Sequence, residues 1–231
     1  MAEEHAPEQQ QQQPPPPIQT QKMTHEKGTP STSDPRRALC SCISVFLLLA
    51  GVTALTLWLV YRPYKPQFRV VGAAIYQLNT TSTTSSQMQQ PPLVTTTMQF
   101  TIVTRNPNRR VSIYYDRLTA FLMYRNQAIT PQVSLPPLYH ARKSTVALSP
   151  VLGGGQEVPV SVEVLNGLAV DEGYGVLGLR VVLLGRLRWK AGAIKTAHYG
   201  VYVKCDVLVG FKKGVMGQVP LLTANACKVD I

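Results

Sequence analysis

Gly173-Tyr174-Gly175-Val176-Leu177-Gly178 matches G-x-G-x-x-G, the pattern with which a backbone wraps a dinucleotide pyrophosphate. That chemistry needs a strand before the glycines and a helix after them, because the helix N-terminus holds the phosphates. The next residues, LRVVLLGRLRW, read as a strand, so the match is rejected. Gly153-Gly154-Gly155 lacks the Lys-Ser/Thr of a phosphate loop and also precedes a strand. Nucleophilic or acid–base catalysis needs a base held beside a nucleophile. The candidate bases are His140, in a proline-rich loop, and His198, at the start of a strand on its polar face, and neither belongs to a recognisable motif. The carboxylates Asp116, Glu157, Glu163, Asp171, Glu172, Asp206 and Asp230 are scattered, and neither C-x-x-C nor H-E-x-x-H occurs. The adjacent pair Asp171-Glu172 makes no calcium loop. The expectation is a protein that is not an enzyme and uses no cofactor or metal.

The cations carry more. They cluster as Arg109-Arg110, Arg142-Lys143, Arg186/Arg188/Lys190 and Lys212-Lys213. The triad Arg186, Arg188 and Lys190 has the period of a strand, so its side chains share one face. Such a face suits an anionic polysaccharide or anionic lipid headgroups, in competition with a plainly solvated polar surface. Nucleic acid is disfavoured, because an apolar anchor and a sheet offer no known reading module. The chain has a formal net charge of +11, and from residue 63 onward it holds 18 Lys and Arg against 7 Asp and Glu. The basicity therefore belongs to the C-terminal part.

Four cysteines fall into two pairs. Cys40 and Cys42 are candidates for S-acylation or are ordinary helix residues. Cys205 and Cys227 form a disulfide if their domain lies outside the cytosol, closing a loop worth roughly 3 kcal/mol, and are free core thiols if it does not. Asn79-Thr80-Thr81 is an N-glycosylation sequon, usable only in an extracytosolic domain.

These residues need elements to hold them. Ala38 to Tyr61 carries no Asp, Glu, Lys or Arg, and as a helix its 24 residues reach about 36 Å, enough to cross a hydrocarbon core of about 30 Å with tilt. Trp58 and Tyr61 suit the headgroup level. The flanking Lys and Arg residues give only a slight preference for an N-terminus inside. Residues 1–37, with Gln9 to Gln13 and Pro14 to Pro17, cannot bury a core and read as a disordered tail. Residues 62–67 form a connector, and residues 68–231 a single domain. Within it Phe68–Leu78, Leu93–Arg105, Val111–Arg125, Lys143–Leu152, the alternating Val158 to Val164, Leu177–Trp189, Tyr199–Val209 and a last piece ending at Ile231 read as strands. Asn79–Pro92 reads as a loop, and Asn106-Pro107-Asn108 as a turn. Asn166–Gly175 reads as a loop rather than a short helix because of its glycines. The expected fold is all-β: an antiparallel β-sandwich of about seven strands, fibronectin-III or immunoglobulin-like, preceded by one transmembrane helix.

Several stretches together resemble the plant harpin-induced-like (NHL) family, whose ectodomain is a late embryogenesis abundant type 2 domain. Asn106-Pro107-Asn108-Arg109 with Tyr114-Tyr115-Asp116 resembles its NPN…YYD signature. Arg188-Trp189-Lys190-Ala191-Gly192, then Tyr199, Val203 and Cys205-Asp206, resembles its R-[FW]-K-x-G…Y…V-x-C-D block, and Cys227 to Ile231 resembles its end. The middle signature, P-P-F-Y-Q-G, appears altered as Pro136-Pro137-Leu138-Tyr139-His140-Ala141. The resemblance implies a single-pass plasma-membrane protein with a cytosolic N-terminus and an extracellular sandwich, and hence the Cys205–Cys227 disulfide. It implies a non-enzymatic role in plant defence and stress responses. Expected partners are the lipid bilayer, an anionic cell-wall polysaccharide or anionic lipid, and defence-signalling membrane proteins. The asparagine-glycine-aspartate adhesion motif of some relatives is absent. The alternative is a cytosol-facing lipid-binding or membrane-tethering module.

Overall fold

The computed structural model describes residues 35–81, 91–212, 214 and 216–231. Most of the expected disordered tail, residues 82–90 of the expected loop, and Lys213 lie outside the described residues. Two compact units make up the chain, residues 1–52 and 53–231.

The helix α1 (Pro35–Tyr61) opens on a proline, which suits a first helical turn because its missing N–H has no intrahelical partner there. Its stretch Leu39–Tyr61 is long and apolar enough to cross a membrane by length and composition. The strands come in order as β1 (Gln67–Thr81), β2 (Leu93–Arg105), β3 (Ser112–Tyr124), β4 (Gln127–Ala128), β5 (Val133–Leu135), β6 (Leu138–His140), β7 (Thr145–Leu148), β8 (Val151–Leu152) and β9 (Glu157–Pro159). After a helix, α2 (Val162–Tyr174), come β10 (Val176–Ala191), β11 (Ile194–Lys195), β12 (Tyr199–Gly210), β13 (Gly217–Val219), β14 (Leu221–Ala224) and β15 (Lys228–Asp230).

They form two antiparallel sheets. One has the order β13-β1-β2-β7, with β8 and β9 also on β2. The other has the order β14-β12-β10-β3-β4, with β5 and β6 on β3, β11 on β10 and β15 on β12. The sandwich expected from alternation is present, with more strand segments than the expected seven because the edges are interrupted. Pro150 and the positive-φ glycines 153–155 cut one edge into β7, β8 and β9, and Pro136-Pro137 separates β5 from β6. Edges tolerate proline because no neighbour needs the missing N–H.

Alternation builds the core. In β2 the side chains of Val94, Thr96, Met98, Phe100, Ile102 and Thr104 point inward. Of these, Val94, Met98, Phe100 and Ile102 meet Ile113 and Tyr115 of β3, Leu183 and Leu187 of β10, and Val203 and Cys205 of β12 in one buried cluster. In β3 the inward set changes from odd positions (Ile113, Tyr115) to even ones (Leu118, Ala120, Leu122). The change falls at Asp116, the extra residue of a bulge opposite the Arg186/Leu187 step of β10.

Three expectations are corrected. The alternating valines 158–164 are not one strand: β9 ends at Pro159, and Ser161, in an extended conformation, accepts a hydrogen bond from Val164 N at 3.3 Å and starts α2. The stretch Asn166–Gly175 is not a loop. Gly167 sits buried where a Cβ would collide with the Tyr124 and Arg125 side chains, and Gly175, at φ 73°, stops the helix in the left-handed conformation. Asn79, too, lies on a strand and not in a loop, exposed and opposite Thr95 near the end of β1.

Candidate functional site

The asparagine turn, the Tyr114-Tyr115-Asp116 run and the Arg188–Gly192 block lie towards the end of the sandwich that carries the connector, whereas Asp206 of the Cys205-Asp206 pair is opposite Arg180, towards the other end. Asn106 and Asn108 flank Pro107, whose fixed φ turns the chain between β2 and β3. Both asparagines are buried. Asn106 Nδ2 donates to Val111 O and Ala141 O, each at 3.0 Å, and its Oδ1 accepts from Asn108 N at 3.1 Å and Asn108 Nδ2 at 2.9 Å. Asn108 then grips the connector. Its Oδ1 accepts from Tyr64 N at 2.7 Å and its Nδ2 donates to Tyr64 O at 2.8 Å. A side-chain amide paired with a backbone amide in this way mimics a strand neighbour. Lys143 N donates to Asn108 O, so the loop after β6 is held to the same turn.

The NPN…YYD and R-W-K-x-G signatures, more than 70 residues apart, are cross-strand neighbours: Leu187 pairs with Tyr115, Arg188 with Tyr114, and Lys190 with Ser112. Tyr115 and Trp189 are core residues, and burial raises the Tyr115 phenol well above its ordinary pKa. Tyr114 faces out and packs on Tyr139 of the altered middle signature, with ring centroids 4.6 Å apart. Lys190 and Lys195 each bring an ammonium to 5.9 Å from the Tyr114 ring centre. Gly192, at φ 61°, turns the hairpin that places Lys195 opposite Lys190. The bulge presents Asp116 to Arg188 at 2.6 Å and to His198 Nε2 at 3.2 Å.

The expected basic triad is therefore not uniform. Arg186 is exposed, Arg188 is engaged by Asp116, and Lys190 leans on Tyr114. Strand spacing implies their common face but not the carboxylate that the bulge inserts. Lys195 and the Lys65 side chain, which donates to Val229 O at 3.3 Å, join the site although no linear motif marks them.

His140 lies on β6 and not in a loop, and it is fully buried. Its Nε2 lies 2.9 Å from Ser144 O, so this nitrogen carries the proton. Burial lowers its pKa, opposed by that hydrogen bond. His198 does sit beside a carboxylate, but Asp116 is shared with Arg188. Among the described residues no hydroxyl or thiol is hydrogen-bonded to either imidazole. No group of three or more His, Cys, Asp and Glu residues gathers as a metal site among the described residues. Asp171 accepts from Tyr124 at 2.8 Å, and burial followed by this carboxylate pushes the Tyr124 phenol up to about 12.

Cys205 and Cys227 are disulfide-bonded, and Cys40 and Cys42 are exposed on α1. Cys227 N also donates to Phe68 O at 3.0 Å, which ties the C-terminal tail to the start of β1.

The architecture is that of a disulfide-closed antiparallel sandwich joined to an apolar helix of membrane-spanning length. A model of the late embryogenesis abundant protein family matches residues 83–205. NDR1/HIN1-like protein 1 of Arabidopsis thaliana is 34% identical over 186 residues, covering 80% of this chain and 84% of its own. NDR1/HIN1-like protein 12 of the same plant is 31% identical over 199 residues, covering 84% and 90%. Protein NDR1 is 26% identical over 181 residues, covering 75% and 76%. Among solved structures, a protein from Archaeoglobus fulgidus matches 62% of this chain at 9% identity with a TM-score of 0.29, too low to inform function. The chain belongs to the NDR1/HIN1-like, late embryogenesis abundant type 2 family.

Proposed function

We propose that this chain is a non-enzymatic, single-pass plasma-membrane protein of plant defence and stress responses, with its N-terminus in the cytosol and its basic sandwich outside. The family supports the defence and stress role, and α1 supports the anchoring. The observation that carries the orientation is the Cys205–Cys227 disulfide, because such bonds persist in oxidising compartments and not in the cytosol. The exposed Asn79 sequon is in keeping with it. The outward basic surface around Arg186 and Lys190 is the part offered to partners, whether an anionic cell-wall polysaccharide, anionic lipid or a defence-signalling membrane protein. Cys40 and Cys42, at the cytosolic end of α1 in this orientation, are the acylation candidates.

The test is protease protection on sealed vesicles of known sidedness, combined with glycosidase treatment of the wild type and of Asn79→Gln. The sandwich should be digested from the outer side, and a glycosidase-sensitive mass should vanish in the variant. A sandwich digested only from the cytosolic side overturns the proposal in favour of a cytosol-facing lipid-binding or tethering module.

A further inference from the structure

The cations at the connector end have no partner in the function just proposed. Lys65 lies four residues beyond α1, Arg105 ends β2, Arg109 and Arg110 come after the asparagine turn, and Arg142 and Lys143 lie in the loop held to that turn. All six are exposed, and among the described residues none is in an ion pair. The pairing puts them on one rim: Gln67 of β1 is opposite Arg105, and Arg105 is opposite Thr145. The acids lie elsewhere. Glu157 pairs into the start of β2, at the opposite end, and Glu163, Asp171 and Glu172 belong to α2. Asp206 is bound by Arg180 and Asp116 by Arg188. Besides the Arg188-bound Asp116, Asp230, on β15, is the one acid towards this end among the described residues. The domain is thus charged end to end, with its surplus cations where the anchor joins.

Geometry fixes what that rim meets. The side chain of Asn108 grips Tyr64 through both of its backbone groups, and Tyr64 is three residues beyond the end of α1, a reach of at most about 11 Å. An anchor lying in a bilayer therefore keeps the rim about a Debye length from the surface at physiological salt, roughly 8 Å. We infer that Lys65, Arg105, Arg109, Arg110, Arg142 and Lys143 form a collar that binds anionic lipid headgroups of the leaflet from which α1 emerges, and so holds the sandwich down on its own membrane. The inference rests on the reading that α1 spans a bilayer and is independent of the side on which the sandwich lies. A long wall polysaccharide is the weaker occupant, because the bilayer shadows this end of the sandwich.

The test uses the full chain in nanodiscs of phosphatidylcholine alone or of phosphatidylcholine with phosphatidylserine, with lysine acylation read by mass spectrometry. Lys212, near the opposite end, is the internal reference. In the anionic discs, labelling of Lys65 and Lys143 relative to Lys212 should fall roughly fivefold, the factor equivalent to about 1 kcal/mol of headgroup attraction per basic residue. High salt should restore it, and Arg109→Glu with Arg110→Glu should weaken the protection of Lys143. Equal labelling in both kinds of disc overturns the collar. Protection by dissolved polygalacturonate in neutral discs, with none from phosphatidylserine, overturns it in favour of a polysaccharide. A chain that stays out of the discs altogether overturns the anchoring reading, and the collar with it.

Discussion

Replacing Asn106 by Ala tests whether the asparagine turn holds the connector end of the domain together. The side chain makes four hydrogen bonds of 2.9 to 3.1 Å, two to the carbonyls of Val111 and Ala141 and two from Asn108, and none of its surface is exposed. A buried hydrogen bond contributes about 1 kcal/mol net, and stranding its partners costs more where water cannot enter. Four such bonds come to about 4 kcal/mol, a large share of the roughly 5–15 kcal/mol that holds a domain folded. For a domain of this size that loss lowers the melting temperature by roughly 8–16 °C. Thermal unfolding of the detergent-solubilised chain, monitored by circular dichroism, measures it. Asn106→Asp keeps the volume and both acceptor contacts but loses the donors and buries a charge, so it should melt at least as early. Asn108→Ala should cost less, about 1–2 kcal/mol, because Tyr64 is largely exposed and water can replace the lost partner. An Asn106→Ala chain melting within about 2 °C of wild type would falsify the clamp, since that limits the loss to under about 1 kcal/mol.

Cys205→Ser should lower the urea midpoint by the equivalent of roughly 3 kcal/mol, the worth of a cross-link with a sequence separation of 22, and should open Cys227 to maleimide. An unchanged midpoint, or equal labelling of both cysteines in the native wild type, rules out the bond. His140 has a folded-state pKa below its ordinary 6.5, so on acidification the unfolded chain takes up the proton first. Its stabilising contribution is complete above about pH 6.5 and is lost as the pH falls from there through the folded pKa. The melting temperature should drop between neutral and mildly acidic pH, and less steeply in His140→Gln; parallel slopes refute this.

Much of the fold was legible from local pattern. The period-two burial of β2, β10 and β12 is written directly in their residues, and the apolar run of α1 needs no tertiary information. The pattern failed at α2, where Val158, Val160, Val162 and Val164 alternate across a change of structure. Ser161 caps a helix there, and Val164 and Leu168 become an i, i+4 buried pair. Gly167 looked like a loop residue, yet it is a contact residue whose missing Cβ admits Tyr124 and Arg125. At the site, the motif residues were visible, but their partners were not. Asn108 finds Tyr64 across 44 positions and Asp116 finds Arg188 across 72, and only the folded sheet brings those pairs together. The bulge that aims Asp116 leaves no trace in the spacing of Arg186, Arg188 and Lys190.

In the membrane-anchored chain proposed above, the asparagine clamp also sets the mechanics of the anchor. A pull on α1 enters the sandwich along β1, which is paired to β2 at 13 positions from Gln67 to Thr81. Tension between the membrane and the far end of the sandwich is therefore taken in shear, with many ladder bonds strained at once and not one after another. Ahead of that ladder, among the described residues, stand the two bonds between Asn108 and Tyr64 and the exposed bond from Lys65 to Val229 O. They would part first and release a few residues of slack while the sandwich stays folded. A membrane drawn away from whatever holds the domain would thus lengthen the tether before it threatened the fold.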